Sequence, residues 1–374
     1  MQYREITGKK LNVSLLGFGC MRFPVLDGDN SKIDYEASEK MLRYAIENGV
    51  NYLDTAYPYH SGKSEEFVGH VLSRGLRDKV YLATKNPVWL AQEHDDFMKY
   101  LDEQLVNLQT KNVDFYLLHS LDQKSFQKIK SLNVFGFIEN AKATGKIKNI
   151  GFSFHDEFPV FKEIIDSYPW DFCQIQLNYI DREYQAGIKG LEYARSKGID
   201  VIVMEPLKGG RLAVVPEELH DIFSESNRER TPAEYALKWV QGLEGVKVVL
   251  SGMSNFEQVD ENIKISSDLE PLSSVELEIV DKAENYFKNR VKVGCTSCNY
   301  CQPCSSGVKI PQIFGLYNNM SVFGEVAQSK QSYQLLDERG QSSLSCVECG
   351  ECEAICPQQL PIIDLLKEAH NALQ

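Results

Sequence analysis

No charge-free run in this 374-residue chain reaches the length of a membrane span, which takes about 20 consecutive apolar residues. The N-terminal Met1-Gln2-Tyr3-Arg4-Glu5 lacks the apolar core of a secretory signal. Basic charge is also short: 40 Lys and Arg stand against 53 Asp and Glu, a formal charge of −13. The acidic excess holds on both sides of residue 290, which argues against a nucleic-acid or anionic-membrane surface. The expectation is a cytoplasmic protein acting on a small molecule, with no nucleic-acid or membrane partner. Low-complexity sequence is missing, and 43% hydrophobic residues can fill a large core. Cysteine is scarce before residue 294, where Cys20 and Cys173 stand alone on apolar strands and read as small buried hydrophobes. The other eight of the ten cysteines crowd into tight C-x-x-C arrays after residue 294. That distribution points to metal binding in a reducing compartment, not to an extracellular disulfide framework.

The length exceeds one average domain and suggests a large barrel with an appendage. A hairpin with a Thr7-Gly8 turn leads into a strand from Val13 to Gly19, and helices and strands then alternate to a last strand at Val246–Leu250 and a helix from Asn255. A long loop is expected from Pro206 to Arg230, ahead of a helix opened by Thr231 and Pro232. Eight strands, each followed by a helix within about 250 residues, imply a closed parallel (β/α)8 barrel. An open doubly wound sheet is the alternative, but no G-x-G-x-x-G turn follows the first strand. Residues 272–289 read as one more amphipathic helix. The expected boundary falls at Val291-Lys292-Val293-Gly294, dividing a barrel over 1–290 from a mostly α, ferredoxin-like iron–sulfur domain over 291–374.

Four polar residues stand at or just beyond the ends of apolar strands: Asp54, Tyr59, Lys85 and His119. Each alone has a bland reading as a cap, a packed ring, a solvated amine or a core histidine. Together they suggest chemistry, because parallel strands in a barrel bring their carboxyl ends to one mouth. A phenol is a poor proton donor at neutral pH, its free pKa being about 10, and a neighbouring ammonium held by a carboxylate would bring it closer. The run Asp54-Thr55-Ala56-x-x-Tyr59, then Thr84-Lys85, then Asp114-Phe115-Tyr116-Leu117-Leu118-His119 resembles the aldo-keto reductase signature in order and spacing.

This resemblance implies hydride transfer between NAD(P)H and a small carbonyl substrate. Tyr59 would donate the proton, Lys85 and Asp54 would tune it, and His119 would orient the carbonyl oxygen. Trp89 and Tyr57 would line the pocket or anchor loops. The resemblance also implies cofactor positions: Ser153 and Gln174 for the carboxamide, Met204 against the nicotinamide ring, and Leu207, Gly209 and Gly210 for the pyrophosphate, with Lys208 supplying charge. Ser251, Gly252, Glu261 and Asn262 resemble the adenosine-end segment. Gly252 and Gln258 occupy positions where the family often carries the basic residues that bind a 2′-phosphate, so NADH and NADPH both stay open.

Cys346-x-x-Cys349-x-x-Cys352-x-x-x-Cys356-Pro357 reproduces the bacterial ferredoxin run, whose fourth thiolate ligates a second cluster. Cys295-x-x-Cys298-x-x-Cys301-x-x-Cys304 departs from it by a shorter last spacing and no proline. By analogy with two-cluster ferredoxins, Cys295, Cys298, Cys301 and Cys356 would hold one [4Fe–4S] cluster and Cys304, Cys346, Cys349 and Cys352 the other. A single cluster is the alternative, as is structural zinc, which takes two separated C-x-x-C pairs and leaves cysteines over. The chain thus resembles aldo-keto reductases fused to a C-terminal ferredoxin-type domain. Electrons could pass between the clusters and a redox-protein partner, although no flavin motif is present to join two-electron hydride chemistry to one-electron clusters. A non-catalytic redox-sensing barrel and an electron carrier on a barrel scaffold are the competing readings.

Overall fold

The computed structural model describes every residue of the chain except 227, 296–299 and 357. Two compact units emerge: Met1–Ala213 with Arg230–Leu277, and Val214–Glu229 with Glu278–Gln374. The strands, all in the first unit, are β1 Tyr3–Glu5, β2 Asn12–Ser14, β3 Leu16–Gly19, β4 Tyr52–Asp54, β5 Tyr81–Asn86, β6 Val113–Leu121, β7 Ile147–Phe154, β8 Phe172–Gln176, β9 Asp200–Met204 and β10 Val246–Gly252. β1 and β2 form an antiparallel hairpin, and the other eight close into a barrel in the order β10-β3-β4-β5-β6-β7-β8-β9. Its pairings are parallel throughout.

The barrel interior is packed, not hollow. Tyr52, Phe115, Phe172, Ile202 and Val248 are fully buried there, and the Phe115 ring meets Tyr52 at 5.1 Å and Phe172 at 5.2 Å. Gly151 makes room for this layer, since a Cβ at that position would stand 2.5 Å from the Phe172 carbonyl oxygen. Ile6 and Val13 of the hairpin join the same cluster. Thr7 is pinned to the start of β9, its backbone N–H and its hydroxyl each donating to the Asp200 carboxylate at 2.7 Å. The hairpin therefore covers the amino-terminal end of the barrel, and the carboxyl-terminal end is left for a site.

The helices that pack with the barrel are α1 Tyr35–Glu47, α2 Ser64–Leu72, α3 His94–Asn107, α4 Gln123–Ser131, α5 Val134–Ala143, α6 Phe158–Ser167 and α7 Gly187–Ser196. Within the expected 206–230 loop lies α8, Glu217–Phe223, followed by α9 Pro232–Gln241, α10 Phe256–Ser267 and α11 Ser274–Lys288. Caps set several of their starts: Thr231 accepts from Glu234 N at 3.1 Å with Pro232 in the first turn, and Asn255 accepts from Gln258 N at 2.9 Å. α4 and α8 were not expected, because each buries only two apolar residues, Phe126 with Ile129 and Leu219 with Phe223, too few to print a helical period. The strand expected from Val13 breaks at Leu15, so Asn12–Ser14 serves the hairpin and Leu16–Gly19 the barrel.

The second unit carries α12 Ile310–Phe323 and α13 Val326–Glu338 between the cysteine arrays, then α14 Glu351–Ala354 and α15 Ile362–Leu373. Ile310, Ile313, Phe314, Leu336, Ile362, Leu366 and Leu373 form its core, each such burial contributing about 1.5–3 kcal/mol. Among the described residues, no helix is long and apolar enough to cross a membrane.

Candidate active site

Asp54 closes β4 and Lys85 lies in β5, two adjacent strands, with their side chains 3% and 1% exposed as residues. Lys85 Nζ donates to Asp54 Oδ1 at 2.5 Å, to the Thr55 carbonyl oxygen at 2.8 Å and to the Tyr59 hydroxyl at 3.4 Å. The ammonium also sits 4.9 Å from the Tyr59 ring centroid. His119, near the end of β6, faces Tyr59 edge-on with ring centroids 6.1 Å apart. The four residues expected to act together do converge at the carboxyl end of the barrel.

Their electrostatics follow from burial and from one another. Burial pushes the Tyr59 phenol above its ordinary value while Lys85 pulls it back, and burial wins. Lys85 thus acts in the expected direction without bringing the phenol down overall, and Tyr59 holds its proton at neutral pH. For Lys85 itself burial works against the charge, but Asp54 and Tyr59 outweigh it and the amine ends above its ordinary value. His119 is driven well below the ordinary imidazole range by burial, with Lys85 and His155 adding to the effect. It is a neutral imidazole near pH 7, and its buried Nδ1 has no hydrogen-bond partner among the described residues. Such an unmet group costs about 1–3 kcal/mol. A protonated phenol, a fixed ammonium and a neutral imidazole can hold a carbonyl oxygen and give it a proton.

The other sequence-predicted positions divide. Gln174 on β8 donates to Asp54 Oδ2 at 3.0 Å and so belongs to the same cluster. The Ser153 hydroxyl accepts from the Ser120 backbone N–H at 2.7 Å, one residue beyond His119, while Met204 packs half-buried against the barrel interior. Ser251 accepts from Asn262 at 3.0 Å, whereas Glu261 accepts from Thr231 Oγ1 at 2.8 Å, away from that pair. In the loop after β9, Gly209 and Gly210 take φ of 71° and 99°, a left-handed region that favours glycine. The Gly210 N–H bonds back to the Leu207 carbonyl at 2.9 Å. Lys208 is not a free cation, because it is bound to Asp181 at 2.5 Å, and Asp181 also accepts from Gln176 and Asn178 at 3.0 Å.

Arg22 supplies what Lys208 does not. A Cβ added at Gly252 would stand 3.0 Å from Arg22 Cδ, and one at Gly209 would stand 3.3 Å from its guanidinium. The side chain thus lies across both glycine positions, exposed and with no ion pair among the described residues. Sequence reasoning missed it. The available signal was a cation three residues beyond Gly19, the last residue of the first barrel strand. Trp89 packs against His119 with centroids 5.2 Å apart and so lines the mouth. The Tyr57 hydroxyl donates to Glu103 at 3.2 Å and its ring meets that of Tyr100 edge-on with centroids 5.6 Å apart, which makes it a loop anchor on α3.

In the second unit, Cys301 and Cys304 of the first array and Cys346, Cys349 and Cys352 of the second line one cavity of about 70 Å³, together with Val308, Ile310, Ile355, Ile363 and Leu366. Cys295 and Cys356 pack against the same hydrophobic core. Cys298 lies outside the described residues. Among those described, no three ligating groups meet around a single ion. Five cysteines from the two arrays share the cavity lining with Ser305, Ser306 and Glu351, and thiolates are the ligands that an iron–sulfur cube takes.

Residues 15–285 match the Aldo/keto reductase family, and residues 294–360 match the 4Fe-4S dicluster domain. L-galactose dehydrogenase of Arabidopsis thaliana is 27% identical over 298 residues, 73% of this chain and 90% of that protein. The uncharacterized oxidoreductase YqkF of Bacillus subtilis is 26% identical over 299 residues, 71% of this chain and 92% of its own length. Among solved structures, the holo form of aldo-keto reductase AKR11C1 from Bacillus halodurans aligns with a TM-score of 0.63 at 26% identity, covering 75% of this chain and 96% of that one. With its barrel complete and eight of its ten cysteines in the sequence that follows, the chain belongs to the aldo/keto reductase family and is an oxidoreductase that carries a 4Fe-4S dicluster domain.

Proposed function

We propose that the barrel, residues 1–290, interconverts a small carbonyl compound and its alcohol with NAD(P)H, and that Tyr59 is the proton donor. The observation that carries this reading is the Lys85 ammonium, bound at once to Asp54 and Tyr59 in a dry site. Bound NAD(P)H supplies the hydride. The chain's own residues do the rest. Tyr59 passes its phenolic proton to the carbonyl oxygen as negative charge builds there, and Lys85 stabilises the phenolate left behind. His119, neutral, hydrogen-bonds the same oxygen, and Trp89 shields one side of the mouth from water.

The residues fit the cofactor's chemistry. Ser153 and Gln174 would hold the carboxamide, Met204 would pack on the ring, and Leu207, Gly209 and Gly210 with Arg22 would take the pyrophosphate. Ser251, Gly252, Glu261 and Asn262 are assigned to the adenosine end. The relative named for L-galactose makes hydroxylated aldehydes and their alcohols the first substrates to try. The Tyr59→Phe variant is expected to lose carbonyl reduction while keeping cofactor affinity, and undiminished turnover would sink the assignment.

For residues 291–374 we infer two [4Fe–4S] clusters, with Cys304, Cys346, Cys349 and Cys352 around one and Cys295, Cys298, Cys301 and Cys356 around the other. Cys304 lines one cavity with Cys346, Cys349 and Cys352, which is compatible with its exchange into the second array, while Cys301, on the same lining, is given to the other cluster by the ferredoxin pattern alone. Such clusters supply one-electron transfer, which makes a redox protein the natural partner for this domain.

A further inference from the structure

Glu65 is a carboxyl group that the reaction does not touch, yet it is only 1% exposed and forms no ion pair among the described residues. Its Oε1 accepts from Thr84 Oγ1 at 2.5 Å and from Gln104 Nε2 at 2.6 Å. The Gln104 amide also donates to the Lys85 carbonyl oxygen at 3.0 Å and accepts from the Tyr116 hydroxyl at 2.8 Å. Asn86 closes the set, donating to Tyr116 at 3.0 Å and to the Phe97 carbonyl at 3.0 Å. Thr84, Asn86, Gln104 and Tyr116 are all fully buried.

Side chains alternate along a strand. Lys85 points into the barrel mouth, so Thr84 and Asn86 point outward, and one dry network grips the strand from outside on both sides of the lysine. The neighbouring residue of α2 does the same for β4. Ser64 Oγ lies 2.8 Å from Thr55 Oγ1 and donates to the Cys20 carbonyl at 3.0 Å, and Thr55 gives Lys85 its backbone acceptor. The start of one helix thus braces both strands that carry the ion pair.

We propose that Glu65 is a positioning residue, which through Thr84 and Gln104 holds the Lys85 ammonium against Tyr59. This rests on the reading of Tyr59 as proton donor. A carboxylate suits the task because one oxygen can take two donors, and charge-assisted bonds are the stronger kind. Its placement in the first turn of α2 favours negative charge. Burial lifts the Glu65 carboxyl above its ordinary value, with Thr84, Gln104 and Asn107 opposing and Glu103 adding. Tyr57 and Tyr116 are the phenols that feel its charge. The groups acting on Tyr59 are Lys85, Asp54 and Cys20.

A network that merely stabilised the fold would leave the chemistry of Tyr59 unchanged in a folded variant. Incorporating 3-fluorotyrosine at position 59 makes ionisation of that one phenol visible by fluorine NMR, in an accessible pH range and without substrate. Glu65→Leu is expected to raise its midpoint by about one unit, since an opposite charge within reach is worth 1–3 units. Carbonyl reduction should fall on the order of a hundredfold, with KM near wild type. Glu65→Gln, which keeps an oxygen acceptor at the same reach, should return both toward wild type. Thr84→Val conserves shape and carries the same expectation where Glu65→Leu does not fold. An unchanged midpoint in a folded Glu65→Leu or Thr84→Val protein would overturn the proposal. Failure of the wild-type chain to reduce any carbonyl would refute the hydride-transfer reading alone, because the fluorine titration still decides the brace.

Discussion

Replacing Lys85 by Met keeps the length of the side chain and deletes its charge. Asp54 then stays buried at 3% exposure with Gln174, 3.0 Å away, as its side-chain donor. Removing one member of a buried ion pair costs about 3–5 kcal/mol, because the other charge is left uncompensated. Against a typical total of about 5–15 kcal/mol, that is a large fraction. All three tryptophans, Trp89, Trp170 and Trp239, fall in the barrel unit, so urea unfolding followed by tryptophan fluorescence reads that unit without the cysteine domain. The pH dependence adds a second signature. The folded-state pKa of Lys85 lies above the ordinary amine value, so its contribution is fully present below about pH 10 and is lost as pH rises through the folded value. The gap between wild type and Lys85→Met should therefore be widest at neutral pH and narrow at strongly alkaline pH. A gap under about 1 kcal/mol at pH 7, against the 3–5 expected of a buried pair, would refute the view that this pair is a dry, coupled unit.

Two further outcomes concern the cofactor and the cysteines. Arg22→Ala should weaken NAD(P)H binding on the order of tenfold, a loss of about 1.4 kcal/mol, whereas Lys208→Ala should change it far less, because Lys208 is already neutralised by Asp181; fluorescence titration of NAD(P)H ranks the two. Cys304→Ser should remove one cluster's worth of iron and sulfide after anaerobic reconstitution and spare the other, and full iron content would contradict the exchanged ligand set.

The cluster of Asp54, Tyr59, Lys85 and His119 was legible because its members sit near or just beyond the ends of three neighbouring strands, β4, β5 and β6, which the barrel brings to one mouth. Lys208 was misjudged for the opposite reason. Its partner Asp181 arrives from the loop after β8, and nothing near Lys208 in the sequence announces it. Arg22 escaped notice because its relevance depends on two glycines, Gly209 in the loop after β9 and Gly252 at the end of β10, that no local pattern links to it. Gln174 was legible as a polar residue on β8, but not as a partner of Asp54. α8 hid inside a stretch that reads as loop, having two apolar residues to bury. The cysteine arrays needed no fold to be recognised, since their spacing is the motif, while the cavity that brings Cys301 and Cys304 beside the second array required the chain to be folded.

Hydride transfer between a nicotinamide and a carbonyl beside Tyr59, as proposed, can be followed as deuterium. The direct measurement is anaerobic incubation of the purified chain with NAD(P)H deuterated at C4 and a panel of hydroxylated and simple aldehydes, with the alcohols read by mass spectrometry. The wild-type protein is expected to form deuterated alcohol, and Tyr59→Phe none at equal cofactor occupancy. Product without deuterium, or the same labelled yield from Tyr59→Phe, would contradict the proposal.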